Sequence, residues 1–274
     1  MYQHYLNIDD ETAAAYYQYG LEALKPFLPY NLYENSHLLF FLDEKPIVLA
    51  KWQDSQLKPV KVPKLWGINF DHNLEQTFAV HDLLDDKIQL LCITGNAGTG
   101  KTFISLLAGL YQTRKHKFNK VLFTREPLSV GQHIGILPGS AEEKIRDYMK
   151  PAFDNLLELT DNDLSFSDLL NERLVEFEAV ALMRGRTLTN TFFIIDECQN
   201  FDVHVAKTLI SRAGKGTKVV MLGSFKQIDN PRLSKDNNGL ARVIAAFSGQ
   251  PLFSHVVLYQ NERSHLAQLA DELL

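Results

Sequence analysis

From about Leu65 onward, short unbroken apolar runs alternate with stretches whose apolar residues recur every three or four positions. The runs at 88–94, 120–124, 192–196, 218–222 and 255–259 have the length of strands and little polar alternation, so both their faces must be buried. Between them, 74–84, 101–113, 203–212 and 238–247 read as helices, with a helical insert over 140–172 and a further strand at 174–178. This alternation predicts an α/β fold, a mostly parallel sheet covered on both faces.

Residues 1–64 are patterned differently. Asp9, Asp10, Glu11 and Thr12 precede an Ala/Tyr-rich stretch and have the chemistry of a helix cap; Gly20 should interrupt that helix and Pro26 should end it. Two β-like runs follow, 36–42 and 46–51, separated by Asp43, Glu44 and Lys45, and an extended piece at 60–62 lies between Pro59 and Pro63. The expected organisation is a small N-terminal α+β module over 1–64 and a larger unit over 65–274.

Composition narrows the class. With 274 residues, 45% hydrophobic and 22% charged, the chain resembles an ordinary globular protein with material for a real core. No apolar stretch approaches the roughly 20 residues that span a membrane. The N-terminus lacks the basic-then-apolar order of a signal peptide, so a cytoplasmic location without membrane partners is expected. The two cysteines, Cys92 and Cys198, fall in or beside core strands and read as small buried hydrophobes. A net charge of −5 gives no global attraction to nucleic acid, so any such binding must use a local patch or groove.

Candidate chemistry begins at Gly95-Asn-Ala-Gly-Thr-Gly-Lys-Thr102, directly after an expected strand and at the start of an expected helix. This is the G-x-x-x-x-G-K-[ST] pattern of a phosphate-binding loop. Gly95, Gly98 and Gly100 let the backbone curl so that the N–H groups of the loop, Asn96, Ala97 and Thr99 included, point at phosphate oxygens. Lys101 should reach the β- and γ-phosphates, Thr102 should ligate Mg²⁺, and the helix N-terminus should favour the same anion.

A second block, Thr191-Phe-Phe-Ile-Ile-Asp-Glu-Cys-Gln-Asn200, ends an apolar run on two acids. Asp196 is the candidate for holding Mg²⁺ and Glu197 for orienting an attacking water, which favours hydrolysis over transfer to a second substrate. In Lys218-Val-Val-Met-Leu-Gly-Ser-Phe-Lys-Gln-Ile-Asp229, the amide of Gln227 follows another strand and could contact the γ-phosphate or the water, or simply cap a turn. Arg125, Arg184 and Arg186 leave expected strand ends or loops and are candidates for phosphate of a nucleotide or a polynucleotide, or for solvated surface.

Five blocks in order, GNAGTGKT, TREPLSVGQHIGILPG with EEKIRDYMKPAFDNL, MRGRTLTNTFFIIDECQN, GSFKQIDNPRL and NERSHLAQLADELL, resemble the PhoH family of P-loop ATPases, relatives of the nucleotide-binding domain of superfamily 1 helicases. The resemblance covers about 66–274. It is strongest to the type that carries an N-terminal PIN ribonuclease domain, whose small β-rich linker 30–64 resembles. The stretch before Tyr30 is too short for a PIN domain, so no ribonuclease site is expected in it.

The resemblance implies a RecA-like P-loop NTPase fold, ATP and Mg²⁺ as ligands, and further roles. Gln76 would read adenine through its amide. Arg263 would act as an arginine finger on the γ-phosphate, in cis or across a subunit interface of a homo-oligomer such as the family's hexameric ring. The implied activity is an ATP-hydrolysing motor or helicase on RNA or single-stranded nucleic acid; the alternative is an ATP-controlled assembly module acting on a protein partner. One position departs from the family: Gly223-Ser224 stands where Gly-Asp is usual before the glutamine. That removes a carboxylate near the expected metal and water; Glu197 and Gln227 remain, so hydrolysis is still expected.

Overall fold

Parallel pairing joins six strands: β5 (Leu90–Gly95), β6 (Lys120–Arg125), β7 (Val175–Phe177), β8 (Thr191–Asp196), β9 (Lys218–Gly223) and β10 (Phe253–Leu258). Their spatial order is β10-β5-β9-β8-β6-β7. The computed structural model describes residues 2–125, 154, 174–183 and 185–262. Apart from Asp154, the expected insert at 140–172 lies outside the described residues, as do Arg184 and Arg263.

Side chains of each central strand alternate between two cores. Leu91 and Ile93 of β5, Phe192 and Ile194 of β8, and Val220 and Leu222 of β9 pack on one face with helices α2 (Leu74–Leu84) and α3 (Lys101–Arg114). Leu90, Cys92, Phe193, Ile195, Val219 and Met221 point the other way, toward helices α4 (Val203–Ile210) and α5 (Gly239–Phe247). A parallel sheet covered by helices on both faces explains the unbroken apolar runs. Cys92 and Cys198 are buried free thiols in this second core, and burial pushes the ionisation of both upward. No described helix is long and apolar enough to cross a membrane.

The N-terminal residues build a four-stranded sheet of Gln3–Asn7, Ser36–Leu42, Lys45–Gln53 and Gln56–Pro59, side by side in chain order. Hairpins join β2 (Ser36–Leu42), β3 (Lys45–Gln53) and β4 (Gln56–Pro59), and their two-residue turns, Asp43-Glu44 and Asp54-Ser55, all have positive φ, as tight hairpins require. The third strand thus runs over 56–59, just ahead of the expected extended piece at 60–62. A strand that patterning missed, β1 (Gln3–Asn7), pairs in parallel with β2. Helix α1 (Asp10–Tyr19) starts where the Asp9 carboxylate accepts the Thr12 N–H at 2.8 Å and stops at Gly20, φ 73°. The chain then continues as a 3₁₀ turn through Phe27, so Pro26 lies inside helical backbone where a stop was expected.

The small sheet is fastened to the large one by buried charge. Lys51 of β3 donates to Asp82 at 2.8 Å and to Asp85 at 3.0 Å, at the C-terminal end of α2. His37 Nε2 lies 3.0 Å from the second Asp82 oxygen, which also accepts from Ser254 of β10. Burial alone would raise Asp82, but the Lys51 ammonium and His37 hold it well below the usual carboxylate range. Lys218 Nζ donates to the carbonyls of Asp82, Leu83 and Asp85 at 2.7–2.9 Å, so the last turn of α2 has its free acceptors satisfied. Burial pushes Lys218 down to about 7, yet three acceptors need three N–H donors, which only its charged form carries.

Candidate active site

The loop from Gly95 to Thr102 joins β5 to α3 at the carboxyl edge of the sheet, where open α/β sheets bind ligands. Gly98 and Gly100 have φ of 78° and 83°. A Cβ on Gly95 would sit 2.5 Å from the Leu258 carbonyl, and one on Gly100 would sit 2.7 Å from Gln76 Nε2. Conformation thus requires glycine at Gly98, space requires it at Gly95, and both require it at Gly100. Lys101 Nζ donates to the Gly95 and Asn96 carbonyls at 2.8 and 2.7 Å, and Thr99 Oγ1 donates to the Asn96 carbonyl at 3.0 Å. The lysine is thus folded over its own loop.

Across from the loop, β8 ends on Asp196, and the Thr102 hydroxyl lies 3.5 Å from its Oδ2. Burial and the neighbouring Glu197 charge raise Asp196 to about 6, with Arg125 and Lys101 opposing. A buried carboxylate kept short of positive charge beside a threonine hydroxyl suits a small, hard divalent cation. No group of three His, Cys, Asp or Glu among the described residues could hold a metal by itself. Mg²⁺ fits that sparse donor set, because it keeps water and takes phosphate oxygens alongside one or two protein oxygens.

Glu197 adopts the left-handed region, φ 56°, which a non-glycine residue holds only when its surroundings fix it. Its own N–H donates to Asp196 Oδ1 at 3.0 Å. Its carboxylate is gripped from two sides: Arg125 Nη2 is 3.0 Å from Oε1, and Gln199 Nε2 is 2.6 Å from Oε2. Gln199 is fully buried; the same Nε2 donates to the Gln227 carbonyl at 2.8 Å, and its Oε1 accepts the Ser224 N–H at 3.0 Å. This amide, absent from the sequence-based candidates, wires the acid pair to the loop after β9. A buried-type polar residue three positions after Asp196, in a block otherwise explained by metal and water, was the available signal.

Most of these groups line one cavity of about 680 Å³, within the range of small-molecule sites, while Gly95, Asn96, Thr99 and Gln199 lie behind its wall. Gln76, Ala97, Gly98, Gly100, Lys101, Thr102, Asp196, Glu197 and Gln227 all reach its wall. Gln76 lies in the first turn of α2, capped by Asn73, and donates Nε2 to the Thr99 carbonyl at 3.1 Å. Ile68, Phe70, His72 and Phe103 supply an apolar and aromatic side that motif reading did not find. Glu262 was also missed: its N–H donates to the Gly98 carbonyl at 2.8 Å and its carboxylate accepts from Asn73 at 2.5 Å, so the chain after β10 straps the loop.

The arginines separate. Arg125, a candidate for nucleic acid or an interface, lies in the nucleotide-sized cavity against Glu197. Arg186 pairs with Glu178 and does not line that cavity. Gln227 lines the cavity, and its carbonyl serves Gln199. Ser224 Oγ is buried at the wall with no hydrogen-bond partner among the described residues.

A phosphate loop after β5, an acid pair after β8, and a sheet in which β10, β5, β9, β8 and β6 lie side by side define a RecA-like P-loop NTPase domain. The family model described as PhoH-like protein matches residues 71–273, and the chain belongs to the PhoH family. Protein PhoH2 of Bacillus subtilis (strain 168) is 44% identical over 215 residues, covering 77% of this chain and 48% of that protein. Protein PhoH2 of Mycolicibacterium smegmatis is 36% identical over 202 residues, covering 73% of this chain and 46% of that protein. The chain spans about half the length of the curated relatives it matches. Among solved structures, the Sulfolobus solfataricus SWI2/SNF2 ATPase core in complex with dsDNA aligns over 74% of this chain and 47% of its own, with TM-score 0.42 and 12% identity. Pif1 helicase from Candida albicans aligns over 68% and 39%, with TM-score 0.34 and 18% identity. The strand order, and not these distant likenesses, carries the fold.

Proposed function

We propose that the chain hydrolyses ATP and that hydrolysis drives an oligomeric motor on RNA or single-stranded nucleic acid. The observation that carries the ATPase reading is the meeting of Lys101, Thr102, Asp196 and Glu197 in one cavity, with Glu197 set by Gln199. The loop N–H groups and Lys101 would hold the β- and γ-phosphates, and Gln76 with the apolar wall would take the base. Thr102 and Asp196 would hold Mg²⁺, which when bound neutralises phosphate charge. Glu197 would orient a water whose oxygen bonds to the γ-phosphorus while the bond to the β–γ bridging oxygen breaks. ADP departs with that oxygen, and the water proton passes to Glu197 or to the released phosphate. The motor part rests on the family's resemblance to helicase-type ATPases, as do a homo-oligomer of six subunits and an arginine finger from Arg263.

The test is ATP turnover by the full chain with and without single-stranded RNA, beside Lys101→Ala. Turnover lost in that variant and stimulated by RNA in the parent is the expected result. Turnover without stimulation would favour ATP-controlled assembly on a protein partner. No turnover in the parent would remove the ATPase reading itself. Light scattering with and without ATP reports the subunit number.

A further inference from the structure

Arg125 borders two cavities. Beyond the nucleotide cavity, a second one of about 350 Å³ is lined by Arg125, Glu197, Lys226, Gln227, Ile228 and Asp229. The two share Arg125, Glu197 and Gln227 as a common wall. Whatever enters the second cavity therefore meets the side chain that holds the candidate base in the first.

Of the two holds on that base, the one from Arg125 is replaceable. Arg125 spends Nη2 on Glu197 Oε1, while its Nε is buried with no hydrogen-bond partner among the described residues. An unsatisfied buried donor makes this position of the guanidinium costly to keep. Nε and Nη2 together form the edge of an arginine that matches two oxygens of a phosphate. Lys226, exposed on the same cavity wall, adds a second cation, whereas Asp229 is turned toward Asn200, its Oδ2 3.4 Å from Nδ2. A phosphodiester carries the same single charge as the Glu197 carboxylate, so the exchange of one anion for the other is nearly balanced until Lys226 tips it. Gln199 holds the other oxygen, Oε2, so release of Oε1 leaves that contact to aim Glu197.

We infer that the second cavity is a phosphate site for a polynucleotide strand, and that a strand phosphate there draws Arg125 off Glu197 and frees the carboxylate for the attacking water. The inference rests on the ATPase reading above and assigns Arg125 a positioning role, not a direct one in chemistry. It gives a physical route by which strand binding would raise turnover.

The experiment measures ATP hydrolysis by the full chain, with single-stranded poly(U) as probe. The parent should be slow alone and accelerate by about tenfold with poly(U), the scale of one charge-assisted hydrogen bond. Arg125→Ala should be faster than the parent without poly(U) and gain nothing from it, while still melting cooperatively and binding ATP. Lys226→Ala, at an exposed position, should need several-fold more poly(U) for half-stimulation. An Arg125→Ala rate at or below that of the parent would overturn the latch, as would stimulation retained in that variant. Unaltered poly(U) demand in Lys226→Ala would overturn the site even if the Arg125 variant did not fold. A parent that hydrolyses ATP but ignores poly(U) overturns this inference and leaves the ATPase reading standing; a parent with no turnover sinks that reading instead.

Discussion

Two polar clusters lie at opposite ends of helix α2, and they are finished to different degrees. At its C-terminal end, buried Asp82, Lys51 and Lys218 are joined with partly buried Asp85, and each charge is answered by an opposite charge or a row of carbonyls. At its N-terminal end, Gln76 and the phosphate loop face a cavity where Asp196 is short of positive charge and Ser224 Oγ and Arg125 Nε lack described partners. Burying a charge is tolerable only when it is compensated. The closed cluster therefore fastens the small sheet to the large one, and the open one gathers the polar groups of the candidate site. Compensation of buried charge, more than the number of charged residues, separates structural polarity from functional polarity here.

The sharpest way to break that contrast is to alter each cluster and read both stability and turnover. Glu197→Gln should lower ATP turnover by about 10² to 10⁴ while retaining ATP binding and melting temperature, because it removes the proton acceptor and keeps the shape. Turnover at the parent rate would return Glu197 to a strand-end acid. Lys51→Met should do the reverse, costing roughly 3–5 kcal/mol in urea unfolding because Asp82 is left as a buried, poorly compensated charge. Adding Asp82→Asn should recover part of that loss; if the single variant is as stable as the parent, the closed cluster is not what fastens the two sheets.

Acid separates the clusters more gently. Asp82 and Asp85 both lie below their ordinary value of 3.8 in the folded protein, with burial opposing and Lys51 lowering each. Their stabilisation is thus complete above about pH 4 and is lost as pH falls through the folded values. Urea midpoints measured from pH 6 to pH 3 should fall more steeply for the parent than for Asp82→Asn, and parallel curves would contradict the assignment. The smallest effect belongs to Gln76→Ala, which should reduce the preference for ATP over GTP by about tenfold, the scale of a base-edge hydrogen bond. Competition binding with the two nucleotides measures it, and unchanged selectivity would confine Gln76 to its bond with Thr99.

The central strands and the phosphate loop were legible because their signals are local: Phe192 to Ile195 leave no face for water, and a lysine after three spaced glycines has few other uses. Strand β1 was not, because five residues with weak alternation become a strand only by pairing with Ser36–Leu42. His37 and Lys51 read as the polar face of a hairpin until α2 brings Asp82 against them. Gln199 and Glu262 escaped for the same reason. Their roles depend on loops 25 and more than 160 residues away that no spacing rule connects. Arg125 was visible as chemistry but not as geometry; only the parallel register that sets it beside Asp196 turns it toward Glu197.

Gln3 shows what such remote pairing can achieve. Its side-chain amide accepts the Val257 N–H at 2.7 Å and donates to the Val257 carbonyl at 3.0 Å, taking both backbone groups of one residue on the outermost strand of the large sheet. Asn35 caps the Phe253 carbonyl four residues earlier on that strand. An unprotected sheet border recruits foreign strands and seeds aggregation. Here two amides occupy part of that border as a neighbouring strand would, without offering its continuation.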